Sequence, residues 1–269
     1  MSRVAAAFAR RRGTVLIPYL TVGHPNLETT LEAVPLLEES GADLVELGIP
    51  FSDPVADGVT IQEASFRALQ GGVTPGRCLE VAARLRERVR LPLLFLTYFN
   101  PILSYGLEAF CAASARAGVD GLIVPDLPPE EAIELEEATA RHGLDLIYLL
   151  APTSTEERVR QVAQRSRGFI YLVSVTGVTG ARESLPPGLG EFVARVRKWA
   201  SQPLCVGFGI STPEQAAQVA RIADGVIVGS RLVQLLSSRR EWKPLVSKFV
   251  QEMKQAMVGS TGCPGGSSS

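Results

Sequence analysis

Three acidic residues in the segment 43–62, DLVELGIPFSDPVADGVTIQ, are the ones best suited to chemistry. Glu46 stands inside an apolar run with the length of a buried strand, whereas Asp53 and Asp57 follow in a loop broken by prolines and a glycine. Burial raises the pKa of a carboxyl group, which suits an acid that both donates and accepts a proton near neutral pH. The segment predicts proton transfer by Glu46, with Asp57 able to approach the same pocket from above.

Each of these acids also has a structural interpretation. Glu46 could be a structural residue paired with an arginine or tyrosine in the interior. Loop aspartates usually cap turns, so for Asp57 taken alone a capping role is favoured over a catalytic one. For Asp53, which precedes a proline, the capping role is favoured more strongly. The local pattern leaves both interpretations open.

Three glycine-containing loops form a second group of candidates: SVTGVTG (174–180), VGFGIS (206–211) and VGSRLV (228–233). They follow the last three of the predicted strands. Each glycine alone could serve a turn, but backbone N–H groups from neighbouring loops, with a short helix beginning at Ser230, can converge on an anion. The loops therefore predict a site for a phosphate group.

The residues that are scarce narrow the chemistry further. The lysines Lys198, Lys243, Lys248 and Lys254 all fall on predicted helices, which disfavours a Schiff-base mechanism. The histidines are His24, in the first loop, and His142, at a helix end, which disfavours a histidine-rich metal site. We expect carboxylate acid–base chemistry on a phosphorylated substrate, with no cofactor and no metal.

The elements that must position these residues alternate regularly. Apolar runs of strand length recur eight times, at 14–20, 43–49, 92–98, 121–126, 144–150, 168–174, 203–209 and 224–230, with amphipathic helical patterns between them. Eight such units predict a single (β/α)8 TIM barrel in the α/β class. A doubly wound sheet is the alternative, but it would usually have fewer strands and a GxGxxG fingerprint after the first, which is missing here.

Additions to this barrel are an extra N-terminal helix, an extra helix near the eighth strand and a C-terminal helix around 241–257. Ser211 and Glu214, with Pro213 in the first turn, resemble a capping box that starts a helix. We expect a catalytic domain over residues 1–258 and a low-complexity, disordered tail over 259–269.

Alternation along the second predicted strand fixes which residues share a face. One set is Leu44, Glu46 and Gly48, and the other is Val45, Leu47 and Ile49. The bulky aliphatic set belongs against the helices, so Glu46 is predicted to point into the barrel near the end where such enzymes carry catalytic groups.

Composition limits the partners. The 269 residues are 46% hydrophobic and 20% charged with a formal net charge of −1, and no basic stripe or polybasic patch suggests nucleic acid or a membrane surface. The four cysteines are widely spaced and fit reduced packing residues, and the N-terminus does not resemble a secretory signal. A cytoplasmic protein whose partner is a small molecule or another protein is expected.

The motif VELGIPFSDPVADG, followed by Gln62, resembles the signature of the tryptophan synthase alpha-chain family. YFNPIL, VPDLP, LLAPTST, SVTGVTG and GFGIS then recur in the family's order, and the resemblance covers roughly residues 13–236. It implies retro-aldol cleavage of indole-3-glycerol phosphate to indole and glyceraldehyde 3-phosphate. It also implies transfer of the indole to a beta chain, which carries the pyridoxal phosphate, in an α2β2 heterotetramer.

The resemblance assigns roles by position. Glu46 would protonate indole C3 and take the proton from the glycerol hydroxyl, and Asp57 would hold or deprotonate the indole N–H. Phosphate would be bound by Gly180, Gly209, Gly229 and Ser230. The indole pocket and lid would comprise Tyr19, Leu96, Tyr98, Ile123, Tyr171 and Thr179, although Tyr98 and Tyr171 also fit core aromatics. Tyr105, Asp53 and the segment around Asp126 would face or support the beta chain.

Departures from the family pattern are modest: His24 in place of an acid, Val175 and Thr176 before GVTG, and Pro125 at the subunit contact. They bear on partner contact and lid coupling. Three functions stay open at this point: an alpha subunit activated by its partner, a stand-alone indole-3-glycerol phosphate lyase, and a weakly catalytic activator of the beta chain. A phosphosugar isomerase or epimerase barrel would share the phosphate loops but would not need an apolar indole pocket.

Overall fold

A computed structural model describes residues 1–10, 13–173, 185–207, 209–238 and 241–258. Its strands are all parallel and follow the order β5-β4-β3-β2-β1-β9-β8-β7-β6. Because β5 and β6 are consecutive in the chain, the two ends of this order meet and the sheet forms a barrel. The strands are β1 Val15–Thr21, β2 Val45–Gly48, β3 Leu93–Leu96, β4 Gly121–Ile123, β5 Asp145–Ile147, β6 Leu149–Leu150, β7 Ile170–Val173, β8 Leu204–Gly207 and β9 Gly225–Val228.

The predicted TIM barrel is confirmed, with one correction at the fifth predicted strand, 144–150, which is divided into β5 and β6 at Tyr148. The Tyr148 N–H donates to Ser166 Oγ at 3.2 Å instead of to a neighbouring strand, and its hydroxyl donates to Glu136 Oε1 at 2.6 Å. The break lies where the chain stops pairing with β4, through β5, and begins to pair with β7, through β6.

Helices surround the barrel. They are α1 Arg3–Arg10, α2 Leu27–Glu39, α3 Val59–Gln70, α4 Pro75–Arg86, α5 Phe99–Tyr105, α6 Leu107–Arg116, α7 Ile133–Arg141, α8 Glu156–Arg165, α9 Leu189–Arg197, α10 Pro213–Ala220, α11 Ser230–Leu236 and α12 Trp242–Val258, with a 3-10 turn at Pro129–Glu131. The predicted extra helices are confirmed as α1, α11 and α12. Helices α3 and α5 were not predicted, because a single helical pattern was expected between β2 and β3, where α4 lies, and between β3 and β4, where α6 lies. The proposed tail, 259–269, lies outside the described residues.

The start of α10 corrects the predicted cap. Pro213 does occupy the first turn, but the N-cap is Thr212 rather than Ser211, and the partner three residues on is Gln215 rather than Glu214. The Gln215 side-chain oxygen accepts from the backbone N–H groups of both Ser211 and Thr212, so the box forms one residue later than expected.

Two apolar cores lie on the two sides of the strands. Val45, Leu47 and Ile49 pack toward the helices, whereas Leu44 packs inside the barrel with the inward residues of the other strands. The predicted alternation is therefore confirmed, and Glu46, which is fully buried, shares the interior face.

The N-terminal face of the barrel carries a repeated aspartate. Asp43, Asp120 and Asp224 stand just before β2, β4 and β9. Each carboxylate accepts a backbone N–H from the start of the adjacent strand that precedes it in the chain. The donors are Leu16 for Asp43 at 2.7 Å, Leu93 for Asp120 at 2.9 Å and Leu204 for Asp224 at 2.9 Å. These bonds tie adjacent strands together at the end opposite the predicted chemistry.

Candidate active site

Glu46 is held inside the barrel by its place on β2. Its register partners are Tyr19 on β1 and Leu94 on β3, and the residue has no exposed surface. Neither carboxylate oxygen has a hydrogen-bond partner within the part of the chain that the structure describes. Burial raises the pKa of Glu46 well above its usual value. The structural interpretation, a paired interior glutamate, is therefore not supported by these residues, and Glu46 is suited to act as a proton donor.

Asp57 reaches the same mouth from the loop between β2 and α3. Its backbone N–H donates to the Pro54 carbonyl at 3.0 Å, and its own carbonyl accepts from Gln62 Nε2 at 2.9 Å. Burial raises the pKa of Asp57 to about 6, against a hydrogen bond from the Tyr98 hydroxyl that lowers it. At neutral pH Asp57 is thus an ionised carboxylate, whereas the burial of Glu46 favours its protonated form.

Tyr98 fixes the Asp57 loop. It stands at the N-terminus of α5, directly after β3, and is buried. Its hydroxyl donates to Asp57 and accepts the Ala56 N–H at 3.0 Å, and its ring packs 5.3 Å from that of Phe51. Contacts from the end of a neighbouring strand therefore position Asp57. Its environment differs from that of an aspartate that only caps a turn.

Two more tyrosines flank the acids from opposite sides of the barrel. Burial raises the pKa of both Tyr19 and Tyr171, and the carboxyl groups of Glu46 and Asp57, when ionised, raise it further. Both hydroxyls lie over a glycine of the next strand, since a Cβ at Gly48 would collide with Tyr19 and a Cβ at Gly207 would collide with Tyr171. The glycines make room for the phenols.

Sequence reasoning missed this function of Gly48 and Gly207. A signal for it exists in the strand pairing. Tyr19 pairs with Glu46 and Tyr171 pairs with Cys205, and in each case a glycine follows two positions after the paired residue, on the same inward face.

The apolar wall predicted for the indole pocket is assembled at the same place. Leu96 and Ile123, at the ends of β3 and β4, are buried in the interior cluster together with Tyr19 and Tyr171. Tyr98 borders this wall at the Asp57 loop. Four of the six predicted pocket residues thus share one interior cluster, and the fifth, Tyr98, bonds Asp57. The sixth, Thr179, lies outside the described residues.

The predicted phosphate residues are brought together in part. Gly209 follows β8 with a φ of +79°, a conformation that favours glycine, and Gly229 follows the neighbouring strand β9. Ser230 is exposed and begins α11. Gly180 and the rest of the loop 174–180 lie outside the described residues.

Over the described ranges, which omit 11–12, 174–184, 208, 239–240 and 259–269, no group of three or more His, Cys, Asp or Glu side chains could hold a metal ion. Over the same ranges, no helix combines the length and apolar character needed to span a membrane.

Parallel strands closed into a barrel and surrounded by helices, with two carboxyl groups of raised pKa toward the C-terminal ends of the strands, define a TIM barrel with a site suited to acid–base chemistry. The sequence profile of the tryptophan synthase alpha chain matches residues 5–260. The chain belongs to the tryptophan synthase alpha-chain family.

Individual relatives agree with this assignment. A tryptophan synthase alpha chain of Dehalococcoides mccartyi is 58% identical over 257 residues, covering 96% of this chain and 100% of that protein. That of Geobacter sulfurreducens is 50% identical over 262 residues, covering 96% and 99%. A crystal structure of tryptophan synthase from M. tuberculosis superposes with a TM-score of 0.87 at 38% identity, covering 96% and 100%.

Proposed function

We propose that Glu46 and Asp57 are the acid–base pair with which this chain performs the alpha reaction of tryptophan synthase. The chain is an alpha subunit and a carbon–carbon lyase, which cleaves indole-3-glycerol phosphate to indole and glyceraldehyde 3-phosphate. It binds no pyridoxal phosphate itself, because that cofactor belongs to the beta chain that receives the indole. The observation that carries the proposal is a buried Glu46 with no hydrogen-bond partner among the described residues, at the same barrel mouth as Asp57, whose pKa is about 6.

Glu46 acts twice. Its carboxyl group first gives its proton to indole C3, which turns the ring into a positively charged indolenine. The resulting carboxylate then takes the proton of the glycerol hydroxyl next to that carbon. As the hydroxyl becomes the aldehyde carbonyl, the C–C bond breaks and its electron pair returns to the ring. Glu46 is left protonated, and the proton it gave remains on C3 of indole.

Asp57 supports the intermediate at the other end of the ring. Its carboxylate accepts the indole N–H, and its negative charge stabilises the positive charge that protonation at C3 creates. A pKa of about 6 keeps Asp57 ionised at neutral pH, and Tyr98 holds the loop that carries it.

The remaining residues bind the two ends of the substrate. Leu96, Ile123, Tyr19, Tyr98 and Tyr171 enclose the indole ring, which a sugar phosphate would not need.

Gly209, Gly229 and Ser230 offer backbone and hydroxyl groups to the phosphate, with Gly180 from the loop 174–180. Thr179 of that loop is proposed to contact Asp57 as the lid closes.

The beta chain is proposed to dock on the face beside the Asp57 loop. A cleft of about 340 Å³ opens there, lined by Pro50, Phe51, Ser52, Leu69, Pro75, Asn100, Pro101, Ser104 and Tyr105. Phe51 contacts Tyr98, which bonds Asp57, so a partner filling the cleft would act on the loop acid through two side chains. This route supports activation by the partner, and the stand-alone lyase and the weakly catalytic activator are not favoured.

The test is indole release from indole-3-glycerol phosphate by the purified chain, alone and with a tryptophan synthase beta chain added. Slow release that rises on addition is expected. Fast release that ignores the partner would favour the stand-alone lyase, and no release in either case would overturn the proposed reaction. The thiols of Cys78 and Cys111, which form no disulfide within the described residues, fit the reducing cytoplasm, which we propose as the location.

A further inference from the structure

Tyr19 lies between the two ends of the proposed substrate site. On one side its ring meets β9, where a Cβ at Gly229 would stand 3.3 Å from Tyr19 Cδ1. On the other side its opposite edge and hydroxyl lie over Gly48 of β2, two residues beyond Glu46. The phenol therefore extends from the proposed phosphate loop to the strand of the proposed acid.

The Tyr19 hydroxyl has capacity for one more partner. Its hydrogen-bond partner among the described residues is Thr21 Oγ1, at 3.3 Å, and either oxygen can be the donor. Both residues are buried. When Thr21 donates to the phenol oxygen, the phenol proton is free to be donated into the site.

The phenol stays protonated in this setting. Burial raises the pKa of Tyr19, and Asp57 and Glu46 raise it further, with Asp57 the stronger of the two. Tyr19 is consequently a neutral donor at every pH at which the enzyme would work, and it can recognise a hydroxyl or a carbonyl oxygen.

We propose that the Tyr19 hydroxyl, supported by Thr21, donates a hydrogen bond to the glycerol hydroxyl of the substrate that Glu46 does not deprotonate. This inference rests on the proposed function, because only that substrate joins an indole ring to a phosphate through a dihydroxylated three-carbon chain. Because the Tyr19 ring runs from Gly229 to Gly48, its hydroxyl is placed to face that chain. Tyr19 thereby determines specificity for the hydroxylated linker, in addition to lining the ring pocket.

The test compares wild type with Tyr19→Phe, which keeps the ring and removes the hydroxyl. Two ligands are used: indole-3-glycerol phosphate, followed by indole release, and indole-3-propyl phosphate, which lacks both glycerol hydroxyls, followed by its inhibition constant. We expect kcat/KM for the substrate to fall about tenfold, as for one lost hydrogen bond, with the affinity for the analogue unchanged. Thr21→Val should lower kcat/KM by a smaller factor, and Thr21→Ser should restore it.

The matched control is Tyr148→Phe, which removes another buried phenol hydroxyl, one that bonds Glu136 on the helix side of the barrel. It should leave the ratio between the two ligands as in wild type. If Tyr19→Phe weakens catalysis on the substrate and binding of the analogue equally, the hydroxyl acts only through packing in the pocket. If neither changes, the proposed hydrogen bond does not exist. Either result overturns the inference. Absence of indole from the wild-type enzyme would instead overturn the proposed function, and the inference with it.

Discussion

The two ends of the barrel use carboxylates in opposite ways. At the N-terminal face, Asp43, Asp120 and Asp224 each accept a backbone N–H of a neighbouring strand and face a cation, Lys254, Arg86 and Arg197 respectively. At the C-terminal mouth, Glu46 is more deeply buried yet has no partner for either oxygen within the described residues.

The difference shows what burial does when it is not opposed. Burial raises the pKa of Asp120 as well, but the Leu93 N–H, Arg86 and Arg3 act against that shift. Among the described residues nothing opposes it at Glu46, where burial is the cause of the shift. One end of the barrel uses acids to hold strands together, and the other leaves an acid ready to exchange a proton.

The largest expected effect is that of Glu46→Gln. Without the carboxyl, kcat for indole formation should fall by about 10²- to 10⁴-fold, the usual contribution of a positioned general acid or base. Binding of indole-3-propyl phosphate should persist, because the amide has nearly the same shape. Steady-state kinetics and a binding titration check both points, and full activity in this variant would remove Glu46 from the mechanism.

Asp57→Asn should cost less, about 10²-fold in kcat, since the amide still occupies the site but carries no charge. The wild-type kcat/KM should fall as the pH drops below about 6, where Asp57 becomes protonated. It should also fall at high pH, as Glu46 ionises. A pH–rate profile without the acid limb near pH 6 would contradict the role of Asp57.

The raised pKa of Asp57 also predicts how stable the Asp57→Asn variant is. The pKa of Asp57 is raised in the folded protein, from 3.8 to about 6, so the folded state loses stability as the pH rises through this interval. Asp57→Asn removes the loss and should be at least as stable as wild type at pH 7. Thermal unfolding at pH 7 checks this and shows that its lost activity is not lost folding.

Gly209 allows the charge at the C-terminal end of the barrel to be changed. Gly209→Asp places a carboxylate at the proposed phosphate loop, and it should weaken binding of the phosphate ligand by about tenfold or more. Because Gly209 has a φ of +79°, any side chain strains the backbone there, so Gly209→Ala is the matched control. Equal losses in the two variants would show that strain, rather than charge, is responsible.

The smallest effect on catalysis is expected at the N-terminal face. Asp120→Ala leaves the Leu93 N–H without its acceptor and should lower the free energy of unfolding by about 1–3 kcal/mol, with kcat/KM near the wild-type value. Urea unfolding measures the change. Asp53→Ala, an exposed site, should change stability by no more than about 0.5 kcal/mol. A large loss of activity in Asp120→Ala would show that the two ends are not independent.

Features with a local period could be predicted from the sequence. The recurrence of strand and helix patterns gave the barrel, and the two-residue alternation of β2 gave the inward direction of Glu46. Helix α3 was missed because Val59 and Phe66 are exposed apolar residues that obscure its buried stripe. Helix α5 was missed because FNPILSY is short and contains a proline.

Features that depend on distant partners could not be predicted in this way. The break at Tyr148 depends on Ser166 and Glu136, and the place of Asp57 depends on Tyr98, which is 41 positions along the chain. No local pattern contains such pairs. For Asp57 the family resemblance supplied a role that the loop itself left open.

The most direct test of the account is a carboxyl ¹³C NMR titration of the glutamate side chains, with the Glu46→Gln spectrum used to assign the Glu46 resonance. A buried acid without a partner should titrate well above the ordinary glutamate value of 4.5 and remain protonated at neutral pH. A resonance that titrates at or below that value would mean that Glu46 is stabilised as a carboxylate, like the aspartates at the other end. That result would contradict its role as the proton donor.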